Sequence, residues 1–479
     1  MLLFNSINNK NYISGEWQEF PDQILVTNPA TEEVIGSIPN LSNQEIIKSI
    51  DATAQGFETW SRTSLEQRAN ILTKWYQEVE SHIDEIAHII TLEQGKVLSD
   101  AKKEISYGLS FIKWFVNIIN NIEGTIRPGS SYSHKMIMEY EPVGPVAAIT
   151  PWNFPAAMVM RKISPALAAG CSVLLKPSEL TPFTALMLAK LIENAGLPAG
   201  VLNVITGEAN IIGKIICDDF RIRKLSFTGS TRVGKILYQN SASTLKRLSL
   251  ELGGNAPFII CADSDLEKTA ADLIAAKIRA VGQACTSPNR IFIEAAVYDK
   301  FVEIVSNKFA DIRVGNGLDP KSDIGPLINK AAIEKISRLI SDATGKGAKV
   351  IIGGKAVANF FEPTVISNCT DNMEIFTTEI FGPVIACYKF NNFEEVITRA
   401  NNTEYGLQAY VYSRNISLAQ NLSAKLDFGM VSINASLPSN AQMAFGGRKA
   451  SGFGVEGSDK GLFEYLNIKY INLQTDFSI

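Results

Sequence analysis

The sequence predicts an α/β protein with two doubly wound parallel-sheet domains and a projecting β arm. Three observations predict it. The chain has 479 residues, too many for one core when domains run to ~100–200 residues. From about residue 143, short apolar runs alternate with helical stretches, the pattern of βαβ units around a parallel sheet. After about residue 253 the same alternation begins again.

Taken in order, residues 44–60, 64–90 and 97–120 carry apolar residues at helical spacing, such as Ile46, Ile47 and Ile50, and form an N-terminal helical layer. Next come the strands GPVAAIT, SVLLK, VLNVIT and KLSF, separated by helices in MVMRKISPALAAG, 181–195 and 208–216, with a further helical segment Ser230 to Leu237. The second half repeats this with PFIIC, RIFIEA, KVIIGG, AYVYS and MVSIN, and helices at 264–280, 298–310, 393–401 and 415–425. The segment 124–142 interrupts the first domain, and LNIKYINLQ ends the chain in β-like texture. These two pieces can pair into an arm whose exposed edge invites a second subunit; a plain surface hairpin fits the same residues. The division expected is 1–123 with 143–252, then 253–452, with 124–142 and 462–479 as the arm.

The formal net charge of −4 and the absence of a dense Lys/Arg run argue against a nucleic-acid partner. The N-terminus lacks the features of a signal peptide, and no run of ~18 apolar residues occurs to cross a membrane. A cytoplasmic location is expected. Six scattered cysteines without a C-x-x-C pair, and three histidines not paired with them, predict neither a disulfide framework nor a metal site.

Cys285 stands apart from the other cysteines, in the polar, Gly-bearing run VGQACTSPNR. That surround suits a reactive thiol, although free cysteines commonly serve as small buried hydrophobes. No histidine follows residue 134, so the usual His partner is missing. Glu251 in LELGGNAP ends a strand on two glycines, either as a general base in a partly dry cleft or as a strand-end charge. Asn153, in TPWNFP, is either an oxyanion donor or part of a turn. Gly229 and Gly234 in FTGSTRVG join a strand to a helix N-terminus, a place for a diphosphate. Lys176 and Glu179 in KPSE follow another strand and can address a ribose or remain solvated.

Together these segments resemble the aldehyde dehydrogenase superfamily. The matching blocks are TPWNFP, KPSE, FTGSTRVG, LELGGNAP, GQACTS, EIFGPV and AFGGRKASG, in that order. The resemblance implies a modified Rossmann fold and an oxidation through a thioester on Cys285. In it Asn153 and the Cys285 N–H stabilise the oxyanion, and Glu251 activates water. It implies NAD as cofactor, with NADP allowed, held by Thr150, Trp152, Lys176, Ser178, Glu179, Gly229, Ser230, Gly234, Glu379 and Phe381. Glu179 would repel the 2′-phosphate of NADP. Glu456 in GFGVEG matches a relay position of some members and also suits a structural ion pair.

Arg161 and Arg279 each lie among apolar neighbours in helical stretches and want an anion, either a bound one or an internal carboxylate partner. With Ser439 they match positions that bind the distal carboxylate in members acting on succinate semialdehyde. Glutarate semialdehyde, one methylene longer, is the nearest rival; a CoA-acylating enzyme and a non-catalytic binding member are more remote. Ser287 stands where several such enzymes carry a second cysteine, so no disulfide lock is expected. A homodimer or homotetramer is expected.

Overall fold

The computed structural model describes residues 7–437 and 439–475. The readings made for the N-terminal residues 1–6 and the last four residues of the arm lie outside them. The core is an eight-stranded and a seven-stranded sheet, each covered by apolar clusters on both faces. Successive residues along a strand alternate between clusters. Val146 and Ala148 face one side while Ala147 faces the other, as strand geometry demands. Doubly covered sheets explain the near-continuous apolar runs that marked the strands in the sequence.

In the first sheet the central strands are Leu202–Val204, Val173–Lys176, Val146–Ile149, Lys224–Thr228 and Arg247–Glu251, all parallel. Strand order reverses between Val146–Ile149 and Lys224–Thr228, so the crevice beyond their C-terminal ends is the natural ligand position. The second sheet runs Lys349–Ile352, Thr364–Ser367, Val384–Phe390, Pro288–Glu294, Ala256–Ile260, Gln408–Tyr412, Met430–Ile433. Glu251 ends a strand of the first sheet, and Cys285 immediately precedes Pro288–Glu294 of the second. The C-terminal edge of one sheet therefore meets the N-terminal edge of a strand in the other.

Several expectations need correction. The helical stretch 64–90 is two helices, Leu65–Ser81 and Ile83–Gln94. The break falls at His82, whose backbone leaves the helical region and whose Nδ1 bonds the Glu78 carbonyl at 2.8 Å. The N-terminal layer is not purely helical, because Lys10–Ile13 and Glu16–Glu19 add antiparallel strands to the edge of the first sheet. KVIIGG forms an antiparallel edge strand rather than a parallel one. Gly452–Phe453 returns to the first sheet beside Arg247–Glu251, so the chain crosses back before its end. The helix expected over 264–280 stops at Ile278, leaving Arg279 beyond it.

The two β-rich pieces do pair. His134–Pro142 lies between Thr125–Pro128 and Leu466–Gln474 in an antiparallel three-stranded sheet. Ile126, Ile468 and Tyr470 stand exposed on it.

Candidate active site

The helix Leu266–Ile278 delivers the chain to Cys285 through an unusual turn. Ala280, Val281 and Gly282 all have left-handed backbones, at φ +46°, +59° and +74°. Such a conformation costs an L-residue ~1–2 kcal/mol, and a β-branched valine adopts it only when its surroundings impose it. The surroundings are specific. The Asp100 carboxylate accepts from the Ala280 N–H at 2.9 Å. The Gln283 side chain donates to the Ala280 carbonyl at 3.2 Å and accepts from the Ile328 N–H at 3.0 Å. The buried Lys277 ammonium holds the Pro288 carbonyl at 2.7 Å. Gly254 is obligatory here, because a Cβ on it would lie 2.2 Å from the Cys285 carbonyl oxygen.

Cys285 is half-buried, whereas the other five cysteines are buried. Burial pushes its thiol up to about 12. The Glu379 and Glu251 carboxylates act in the same sense, while Arg161 and Arg279 pull it down. Asn153 donates its side-chain N–H to the Gln283 carbonyl at 2.7 Å. That fixes the amide plane with one N–H engaged and one left over. The Asn153 carbonyl in turn accepts from Lys96 Nζ at 2.8 Å.

Glu251 is buried, and neither of its carboxylate oxygens has a hydrogen-bond partner. Burial, helped by the Glu456 charge, raises its carboxyl well above the usual range; Arg161 and Lys162 oppose this. An acceptor without donors in a dry pocket is poised to take a proton from water. Glu456 is the opposite case. Burial disfavours its charge, but Lys162 Nζ at 2.5 Å and Arg161 Nε at 2.6 Å hold its carboxyl below the ordinary range.

The two arginines predicted to bind an anion differ. Arg161 is buried in the helix Ala157–Ala169, ion-paired to Glu456 and 3.8 Å above the Phe445 ring, with its Nη2 lacking a partner. Arg279 makes no ion pair among the described residues. Its guanidinium lies 4.7 Å above the Phe154 ring and 5.5 Å above Tyr107. Ser439 shares a hydrogen bond with the Tyr107 hydroxyl. Cys285, Glu251, Asn153, Arg161, Arg279 and Ser439 all line one cavity of about 40 Å³. It adjoins an outer cavity of about 370 Å³ through Tyr107, Phe154, Arg279 and Ser439.

The residues expected to hold a cofactor cluster at the strand ends of the first sheet and one facing loop. The Thr150 N–H bonds the Lys176 carbonyl at 3.1 Å, and Lys176 Nζ pairs with Glu179 at 2.8 Å. Burial would raise the Glu179 carboxyl, but Lys176 holds it below its ordinary value. Ser178 Oγ accepts from the Leu180 N–H. Gly229 follows the strand Lys224–Thr228, and Ser230 caps the helix Thr231–Asn240, accepting from the Val233 N–H at 3.3 Å. Gly234 lies within that helix, where a Cβ would strike Leu252 at 2.4 Å, so it serves close packing. Across the cleft, Phe381 meets Trp152 edge-on at 5.6 Å. Glu379 accepts from the Gly254 N–H at 2.9 Å, and burial raises it to about 7.

A dinucleotide fits this arrangement. The exposed Ser230 at a helix N-terminus suits a diphosphate. The half-buried Glu379 carboxylate, whose charge acts on Cys285, suits a ribose next to the reacting carbon. Sequence reasoning missed Gln283, Tyr107, Lys162, Asp100, Lys96 and Glu104. Gln283 and Lys162 adjoin residues singled out, but nothing in a linear pattern marks which neighbour turns inward. Among the described residues no group of three or more His, Cys, Asp or Glu could hold a metal ion.

The aldehyde dehydrogenase family model matches residues 17–471. The succinate-semialdehyde dehydrogenase [NADP(+)] of Escherichia coli is 44% identical, covering 98% of each chain. The glutarate-semialdehyde dehydrogenase of Pseudomonas putida is 44% identical over 96% of each chain. The crystal structure of a succinate-semialdehyde dehydrogenase from Burkholderia pseudomallei superposes with a TM-score of 0.96 at 43% identity, covering 98% of this chain and 99% of that one. The chain belongs to the aldehyde dehydrogenase family. It is accordingly an enzyme that oxidises aldehydes with NAD(P).

The exposure difference among the cysteines has a direct test. Iodoacetamide should alkylate Cys285 ahead of the five buried thiols, as peptide mapping would register. The rate should rise with pH through 7–10 without a plateau, because a thiol at about 12 gains thiolate across that whole range. A plateau near pH 8 would contradict the elevated thiol.

Proposed function

We propose that this enzyme oxidises succinate semialdehyde to succinate, with NAD preferred and NADP accepted. The observation that carries the substrate reading is the pair Arg161 and Arg279 in the cavity of Cys285, with a buried Arg161 Nη2 that has no partner. A buried guanidinium donor without an acceptor is costly, and a substrate carboxylate supplies the acceptor. Arg279, which pairs with no carboxylate among the described residues, carries more of that role than Arg161, which shares its charge with Glu456. Ser439 and Tyr107 add hydroxyls at the same wall. The small inner cavity favours a short chain, so glutarate semialdehyde is the weaker substrate, by about 1–3 kcal/mol for its extra methylene.

The Cys285 thiol first gives its proton to solvent, and the resulting thiolate attacks the aldehyde carbon. The free N–H of the Asn153 amide and the Cys285 N–H bind the oxyanion, each such donor being worth about 3 kcal/mol of barrier. The nicotinamide supplies the hydride acceptor when bound. Loss of hydride from the tetrahedral carbon leaves a thioester on Cys285. Glu251 takes a proton from water, and the hydroxide so formed hydrolyses the thioester, freeing the acid and the thiolate. Thr150, Trp152, Lys176, Ser178, Glu179, Gly229, Ser230, Glu379 and Phe381 would hold the cofactor, with Gly234 letting the helix behind Ser230 pack close. The Glu179 carboxylate accounts for the NAD preference, and its ion pair with Lys176 for tolerance of NADP. A water-activating Glu251 also argues against CoA as acyl acceptor, and the presence of nucleophile and base against a non-catalytic member.

The same reading assigns residues 1–123 and 143–252 to cofactor binding and 253–452 to the nucleophile. It assigns the arm, 124–142 and 462–479, to assembly of a homodimer or homotetramer in the cytoplasm. No helix among the described residues is long and apolar enough to cross a membrane.

An aldehyde panel with NAD and NADP tests the substrate. Succinate semialdehyde with NAD should give the highest kcat/KM, without a requirement for CoA. Arg279→Ala should lower that value by roughly 10- to 100-fold while sparing propanal; an unchanged KM for succinate semialdehyde would sink the reading. Glu251→Gln should retain a stoichiometric burst of NADH but lose turnover, with acyl-enzyme visible by mass spectrometry. Absence of the burst would assign Glu251 to thiol activation instead. For the arm, Ile468→Asp with Tyr470→Asp should shift sedimentation toward the monomer, and an unaltered coefficient would remove the arm from the interface.

A further inference from the structure

The helix Leu98–Ile118 belongs to the N-terminal layer, yet its first turns reach both halves of the site. Three charged side chains do this: Lys96, just before the helix, then Asp100 and Glu104 at successive turns of one face. Lys96 and Glu104 are almost fully buried and form an ion pair at 2.5 Å. Lys96 Nζ also donates to the Asn153 carbonyl at 2.8 Å and lies 4.3 Å above the Phe154 ring. Glu104 uses its other oxygen to accept from the N–H groups of Ala156 and Ala157, at 2.8 and 3.1 Å. These are among the first N–H groups of the helix Ala157–Ala169, which a carboxylate satisfies well. Between them the two side chains bracket the turn from Asn153 to Ala157.

Asp100 works on the other half. Its carboxylate accepts from the Ala280 N–H, the first residue of the left-handed turn before Cys285. The helix start is itself docked on the second half of the chain, since the Leu98 N–H bonds the Gly317 carbonyl at 3.2 Å. One rigid helix end thus touches the turn that carries Asn153 and the turn that leads to Cys285.

We propose that Lys96, Asp100 and Glu104 form a positioning template that sets the distance between the oxyanion donor and the nucleophile. The inference rests on the roles given above to Asn153 and Cys285. The physical reason is that neither turn is self-supporting. Ala280 and Val281 relax toward ordinary backbone once the Asp100 acceptor is lost, and the Asn153 segment loses its cation and its helix cap together when the ion pair is broken. A displacement of ~1 Å in a reacting group can cost 10²-fold in rate.

The two arms separate in experiment. Asp100→Ala should lower kcat with succinate semialdehyde and slow iodoacetamide alkylation of Cys285, each by about tenfold, with KM changed less than twofold. Asp100→Asn keeps an oxygen acceptor for the Ala280 N–H and should restore both. Glu104→Gln keeps an acceptor for the Ala156 and Ala157 N–H groups but strips the buried Lys96 of its anion, so it should lower kcat while leaving alkylation at the wild-type rate, because alkylation needs no oxyanion donor. Asp100 also lines the outer cavity. If it acted only on substrate entry, KM would rise while kcat and alkylation stayed at wild type, and the template would be refuted. It would equally be refuted if the Asp100 variants merely lowered the melting temperature. If Glu104→Gln does not fold, the Asp100 series alone decides. Cys285→Ala and Asn153→Ala serve as references: if they keep activity, the assigned roles fail, whereas their inactivity beside unaffected Asp100 and Glu104 variants refutes the template alone.

Discussion

The hydrogen bond from the Asn153 amide to the Gln283 carbonyl joins the two halves of the molecule at the wall of the Cys285 cavity. Asn153 follows a strand of the first sheet, and Gln283 precedes a strand of the second. Neither sheet alone holds both Asn153 and Cys285, the donor and the nucleophile of the proposed reaction. The site exists only where the two edges abut, and this contact keeps them in register. Much of the surrounding structure can be understood as support for it: Gln283 braced by Ala280 and Ile328, Asn153 braced by Lys96, and Gly254 letting the backbone of Cys285 approach.

Burial divides the carboxylates of the pocket by function. Glu456 and Glu251 share one low-dielectric region, but only Glu456 has cations in contact. Two like charges in such a place cannot both be cheap. Glu456 therefore keeps the charge, and Glu251 is left reluctant to ionise and eager for a proton when it does. The same burial protects the Cys285 thiol from ionising at rest. A protonated thiol is slow to oxidise, so burial shields the proposed nucleophile at rest.

The sequence made the doubly wound plan legible, because strands covered on both faces read as short apolar runs. It also marked Cys285, Glu251, Asn153 and the strand-end glycines, since those residues depart from the apolar texture around them. The antiparallel edge strand Glu16–Glu19 escaped notice: with its ends exposed and its middle only half-buried, its apolar pattern is weak. His82 hid a helix break because helical spacing continues across it. Arg279 illustrates a deeper limit. Its spacing suited a helix, but three left-handed residues after it are imposed by tertiary contacts, and no local propensity announces them. The supporting charges Lys96, Asp100 and Glu104 read as an ordinary polar helix start, since only the folded chain shows what they meet.

The return of the chain at Gly452–Phe453 has a consequence for how the protein comes into being. Glu456, which neutralises Arg161 and Lys162, and the strand closing the edge beside Glu251 both belong to the last stretch of the chain. During synthesis the first sheet can gather its central strands early, yet its border beside the base stays open until the end. Two buried cations wait without their anion for the same interval. A chain cut short of Gly452 lacks both the strand that borders Glu251 and the anion of Arg161 and Lys162.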